Sequence, residues 1–357
     1  MRTGNVRFER QRRAVPILAM ALLAGAAAAG LSAGGSGLFP AFTPMPGYVA
    51  EGVAVDKIGN VYVSLRDGDQ GRVWKFTPSG QASFFAALGT GEAGGLAVTA
   101  NGELYATMAK GPDRGVYCIE RNGYATRLPG TEQIAWANAL AFGPTGTLYV
   151  TESYSMASPT SYGPGGIWRI REGEPAEPWI QHDLLTGIGI LGNPIGANGI
   201  AYDKGSLVVV NTDKRLILRV PVLQDGSAGE PEVWATLQEV AGSPMAGVSP
   251  FPAMGDGLAL DVHGNVYIAV VSRNAVVRIR ASDQVQETVA LMVPPGGSYP
   301  TAMFDTPASL AFGTGKGERT SVFVTNLGWM TQFAPGRPWP GAGVVKIDAG
   351  VPGKPLP

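Results

Sequence analysis

The stretch EGVAVDKIGNVYVSL (residues 51–65) contains the unit from which most of the chain is built. It opens with an acid and a glycine, runs on as a small apolar strand (GVAV), turns over DKIGN, and returns as VYVSL. Branched and aromatic side chains suit a pleated, packed surface, while Gly, Asn and Asp supply the turn. The pattern recurs as GGLAVTANGELYATM from Gly94, NALAFGPTGTLYVTES from Asn138 and NGIAYDKGSLVVVNTD from Asn198. It recurs again as DGLALDVHGNVYIAVV from Asp256 and ASLAFGTGKGERTSVFVTN from Ala308. The copies start 43, 44, 60, 58 and 52 residues apart.

Outward from each hairpin a third strand follows, as in GRVWKF, RGVYCIE, GGIWRI, RLILRV, NAVVRI and GAGVVKID, and in places a fourth, as in QASFFAAL and EPEVWATL. Four-stranded units at this period are propeller blades, each covered by its neighbours. The expected fold is all-β, a six-bladed β-propeller with four antiparallel strands per blade, forming one domain over residues 34–357. The small first strands are expected nearest the axis, where glycine allows close backbone approach. The fourth strand of the sixth blade is expected from residues near 39–48, closing the ring.

Composition agrees. Among 357 residues there are 51 Gly and 28 Pro, and only 15% are charged. Long helices and coiled coils need more Glu, Lys and Arg, so those classes are excluded. Ahead of the repeats, residues 1–33 carry five arginines (Arg2, Arg7, Arg10, Arg12, Arg13), then an apolar run, then small residues. That order reads as an export signal with a flexible exit, leading to a periplasmic or extracellular location. Left uncleaved, residues 14–31 are just long enough for a membrane anchor. Without residues 1–33 the chain keeps 22 basic and 27 acidic residues, a net charge of about −5, which argues against a nucleic-acid partner. The single Cys118 cannot form an internal disulfide and reads as a packed strand residue.

Long connections at 152–166, 181–196, 238–254, 296–306 and 327–341 follow second or fourth strands, so they share one face, here called the top. The first residue of each inner strand starts at that face near the axis. These residues are Glu51, Gly94, Asn138, Asn198, Asp256 and Ala308. Two carboxylates and two amide oxygens at equivalent positions make a hard-cation site, suited to Ca²⁺ or another divalent cation. The alternative is that each makes only local backbone hydrogen bonds at a strand junction. His182 and His263 fall in a top loop and a bottom turn and are poor candidates for chemistry. Residues at the ends of second strands (Arg66, Glu152, Asn211, Asp213, Ser272, Asn326) are expected to supply pocket walls, with Glu152, Asn211 and Asn326 as substrate contacts.

On these motifs the chain resembles the senescence marker protein/gluconolactonase/luciferin-regenerating enzyme family, and is similar to the related diisopropyl fluorophosphatases and paraoxonases. The resemblance covers about residues 45–348. It implies a calcium-dependent propeller hydrolase in which the ion polarises a lactone, ester or phosphoester oxygen, with Glu51, Asn138, Asn198 and Asp256 as metal ligands. It also implies Asp256 as the catalytic carboxylate, either general base or nucleophile, with Glu51 mainly neutralising charge. Sugar-lactone members carry an arginine two residues before the third-blade asparagine; here that residue is Trp136. With apolar groups in the top loops (Tyr154, Met156, Met245, Phe251, Met254, Met303, Phe304, Trp329, Met330), this points to a lactone or ester that is not strongly polar. A non-catalytic binding propeller with a structural cation is the alternative function. A metal-free condensing propeller of the strictosidine-synthase type fits less well with four axial oxygen donors.

Overall fold

The computed structural model describes residues 37–38, 48–158, 161–243, 245–247, 249–292, 303–333 and 340–357. The export-signal reading of residues 1–33 lies outside them. Six four-stranded antiparallel sheets follow one another along the chain. Their inner strands are Tyr48–Val55, Glu92–Val98, Ala137–Phe142, Ala197–Asp203, Gly255–Leu260 and Pro307–Phe312. Each inner strand packs against those of the blades before and after it, and the first meets the sixth, so the ring closes. This is the six-bladed propeller that the repeats predict.

Closure uses the N-terminal segment. In the sixth blade, Gly37–Leu38 pairs with Gly343–Asp348 as the outermost strand. This corrects the expected segment: the described part of the closing strand is Gly37–Leu38, residues 39–47 lie outside the described residues, and Tyr48 instead opens the first blade.

The apolar core lies between blades. Val208, Val210 and Ile217 of the fourth pack against Leu258, Ile268 and Val277 of the fifth. Crowding at the axis requires glycine: a Cβ on Gly52 would lie 2.4 Å from the Gly94 carbonyl, and one on Gly257 2.7 Å from Ser309 Cα.

Every inner strand is interrupted at the same place. Pairing with the second strand breaks between Ala50 and Val53, Ala93 and Leu96, Ala137 and Leu140, Ala197 and Ile200, Gly255 and Leu258, and Pro307 and Leu310. Such bulges re-aim side chains. The first residue inside each is Glu51, Gly94, Asn138, Asn198, Asp256 or Ala308.

At the opposite end of the channel the C-terminal residues cross the blades. Lys354 N donates to the Leu260 carbonyl and Ala100 N to the Pro357 carbonyl. Lys354 Nζ also binds Asp203. Residues 354–357 thereby line a cavity of about 490 Å³ at the bottom of the channel. Among the described residues no helix is long and apolar enough to cross a membrane.

Candidate functional site

Hydroxyl groups of the second strands set the positions of the bulged residues. Thr107 Oγ1 donates to the Asn138 carbonyl at 2.6 Å, and Thr151 Oγ1 to the Asn198 carbonyl at 2.7 Å. Thr325 Oγ1 reaches the Glu51 carbonyl across the closing interface. Thr212 Oγ1 donates at 2.8 Å to the carbonyl of Gly255, next to Asp256. Each of these blades therefore fixes the backbone at the next blade's axial residue.

The two asparagines are oriented as well. Asn138 Nδ2 donates to Ser153 Oγ and Asn198 Nδ2 to Thr212 Oγ1, both at 3.0 Å. Neither Oδ1 accepts a hydrogen bond among the described residues. Glu51, Gly94, Asn138, Asn198 and Asp256 line one top pocket of about 150 Å³. The rest of its wall is mostly apolar, with Trp136, Leu191, Ile195, Val271, Leu327 and Trp329 beside the polar Glu92 and Thr212.

The electrostatics of the pocket are unbalanced. Neither Glu51 nor Asp256 has a salt-bridge partner among the described residues. Burial, reinforced by the charges of Asp256 and Glu92, pushes the Glu51 carboxyl well above its ordinary range, and Arg66 offsets only part. Burial likewise raises Asp256 to about 7, against a favourable contact from Asn198. Two neighbouring carboxylates in a narrow pocket resist joint ionisation unless a cation balances them. With two amide oxygens left without donors, the set fits a divalent cation bound by oxygen. No cluster of three or more His, Cys, Asp or Glu converges among the described residues.

The other expected positions divide. Trp136 lines the pocket, with Lys110 Nζ 4.2 Å from its ring centroid and Tyr154 stacked on it at 5.0 Å. Glu152, Asn211 and Asn326 do not line it. Glu152 is buried and accepts from Ala135 N (2.7 Å) and Trp168 Nε1 (2.9 Å). Asn211 donates to the Leu184 and Thr186 carbonyls, and Asn326 to that of Met303. These three equivalent positions hold top loops in place. His182 accepts from Leu184 N and caps a short turn.

Sequence reasoning missed Glu92, which lines the pocket beside Glu51 and pairs with Arg66 (3.0 Å) and Lys110 (3.4 Å). Its position two residues before Gly94 in the second repeat was the available signal. Of the apolar loop residues, Trp329 reaches the pocket, whereas Met254 and Phe304 are fully buried in packing.

The family model described as SMP-30/Gluconolactonase/LRE-like region matches residues 93–304. Among solved structures, the chain is similar to a calcium-binding regucalcin from Agrobacterium tumefaciens. That match has 17% identity and a TM-score of 0.63, covering 90% of this chain and 96% of the other. A gluconolactonase from Xanthomonas campestris matches at 16% identity and TM-score 0.58, covering 89% of each chain. A luciferin-regenerating enzyme matches at 16% and 0.61, covering 86% of this chain and 94% of that one. At such identities the likeness is one of fold. No curated protein sequence matches.

Proposed function

Because the chain belongs to the SMP-30/gluconolactonase/LRE-like family, we propose that it is an exported, metal-dependent hydrolase of lactones or esters. The observation that carries this reading is the uncompensated pair Glu51 and Asp256, set with the free amide oxygens of Asn138 and Asn198 in one pocket. A calcium-binding protein among the structural neighbours supports a divalent cation, and a gluconolactonase supports the reaction class.

Glu51, Asn138, Asn198 and Asp256 would hold the ion, Ca²⁺ by preference for oxygen donors. When bound, it would polarise a carbonyl oxygen and stabilise the charge developing there. The rest of the chemistry belongs to the chain. As general base, Asp256 takes a proton from the attacking water and passes it to the departing oxygen as the ring or ester C–O bond breaks. As nucleophile, its carboxylate forms an anhydride with the acyl carbon while that C–O bond breaks; the departing oxygen takes a proton from a water, whose hydroxide then cleaves the anhydride to release the acid and the Asp256 carboxylate. Glu51 contributes negative charge to the ion. Thr212 and Ser153 hold the asparagines. Trp136 and Trp329 shield the site from water and favour a substrate of low polarity.

The test is a panel of sugar lactones, apolar lactones, aryl esters and phosphotriesters, each with Ca²⁺ and with EDTA. Calcium-dependent turnover of lactones or esters is expected. A protein that Ca²⁺ stabilises but that turns over none of them would be a binding propeller with a structural cation. Export is proposed from residues 1–33, and N-terminal sequencing of the secreted or periplasmic protein tests it: a start between about residues 29 and 34 is expected.

A further inference from the structure

We infer that the pocket continues outward into an apolar subsite for a hydrocarbon substituent, so that the preferred substrates are lactones or esters bearing an aliphatic chain. The inference rests on the proposed hydrolase reading for the reacting head group only. The pocket offers about 150 Å³, the size of a cavity that takes up a benzene ring. It admits a small ring, and anything attached to that ring must leave through the mouth.

The mouth is built for such a substituent. Leu191 lines the pocket and is still 41% exposed, while Ile188 on the same loop is 64% exposed. On the other side, aromatic rings run from the pocket to the surface. Trp136 lies 5.0 Å from Tyr154, and Tyr154 lies 4.8 Å from the exposed Tyr162. Tyr162 OH donates to Asn193 Oδ1 at 2.5 Å, joining this aromatic run to the loop that carries Ile188 and Leu191.

The loop is also pinned from below. Asp213, almost fully buried, accepts from Ile188 N (2.8 Å) and Gly189 N (2.7 Å) through Oδ2. Exposed apolar side chains on a fixed backbone need little ordering when a ligand arrives. Scattered apolar residues are ordinary on a surface, but Leu191 belongs to the pocket wall, Ile188 lies three residues before it on the same pinned loop, and ring contacts link Trp136 to Tyr162. Residues 153–165 and 186–196 contain no Asp, Glu, Lys or Arg. Apart from Lys110 and Glu92, which pair with each other at the pocket edge, the loops of this mouth carry no charge, which favours a neutral chain extending from the bound head group rather than an anionic lipid surface.

The experiment uses a homologous series of γ-lactones, from unsubstituted to decyl, with the Ca²⁺-loaded protein. Binding of the matching alkyl cyclopentanones, which cannot be hydrolysed, is measured in parallel by calorimetry. Both kcat/KM and affinity are expected to rise about 2–4-fold per methylene over the first several carbons. Ile188→Ser is expected to flatten both gradients, whereas Ile58→Ser, an equally exposed change in the bottom turn, keeps them. Flat gradients in the unmodified protein, or gradients that survive Ile188→Ser, would overturn the subsite and leave the hydrolase reading standing. A steep binding gradient without hydrolysis of any lactone or ester would uphold the subsite and overturn the hydrolase reading.

Discussion

Lys110 holds its ammonium group 4.2 Å from the centroid of the Trp136 ring, at the edge of the pocket that Trp136 lines. With Tyr154 stacked at 5.0 Å, the indole is fixed as a wall. A cation over an aromatic face contributes about 0.5–1 kcal/mol at an exposed site. Trp136→Ala removes the apolar wall itself as well as this contact, so it should raise KM for an apolar lactone roughly tenfold with kcat changed less than about threefold, the pattern of lost uniform binding. Steady-state kinetics check this, and an unchanged KM would remove Trp136 from the substrate wall.

Asp256→Asn keeps the shape of the side chain but removes its charge and basicity. The expected loss in kcat is about 10²–10⁴-fold, the range of general-base catalysis. Retained turnover in a variant that still binds Ca²⁺ would place the catalytic carboxylate elsewhere.

Calcium should stabilise the protein through Glu51 and Asp256. A ligand at about 100 times its Kd adds roughly 2.7 kcal/mol to a folded state that alone binds it. Thermal unfolding with EDTA and with Ca²⁺ reads this directly. Glu51→Gln should remove most of the calcium-dependent rise in Tm while the fold persists.

The metal-free protein should show an inverted pH dependence in the mildly acidic range. Burial raises both Glu51 and Asp256 above their unfolded values of roughly 4, Asp256 to about 7. Between those limits the folded state binds more protons than the unfolded chain, so stability falls as pH rises. Carboxyls that arginines hold low, such as Glu177 and Glu287, lose their contribution only in stronger acid, outside this window. In EDTA, Tm should be higher near about pH 5.5 than near about pH 8, and Asp256→Asn should shrink the difference. An unchanged difference in that variant would show that other groups set it.

Glu152 separates anchoring from chemistry. Its removal orphans the buried donor Trp168 Nε1, at a cost of about 1–3 kcal/mol, and the half-buried donor Ala135 N. Glu152→Ala should lower Tm by several degrees. Because Ala135 adjoins Trp136, KM should rise with it, while kcat for the residual activity stays within about tenfold. Loss of kcat with Tm unchanged would assign Glu152 to the chemistry instead.

The repeat makes the six blades legible in the sequence. Apolar inner strands, turn residues and third strands such as GGIWRI recur in register, and strand pairing within a blade is local along the chain. The same register marks Glu51, Asn138, Asn198 and Asp256, because equivalent residues in equivalent blades must meet near the axis. Glu152, Asn211 and Asn326 are legible as top-facing strand ends, but not as loop anchors. Their partners Trp168, Leu184 and Met303 lie 16, 27 and 23 residues away along the chain.

What the sequence by itself determined was the periodic part: six blades, their strand order, and which residues begin the inner strands. Only the tertiary structure decided how those beginnings are used. The bulges aim them, hydroxyls of the preceding blade fix their carbonyls, Glu92 joins Glu51 across a blade junction, and the C-terminal residues reach back to Ala100, Asp203 and Leu260. The physical reason is range. Hydrophobic period and turn chemistry act between near neighbours, whereas a buried charge or a bridging hydroxyl takes its meaning from groups that only the closed ring brings within reach.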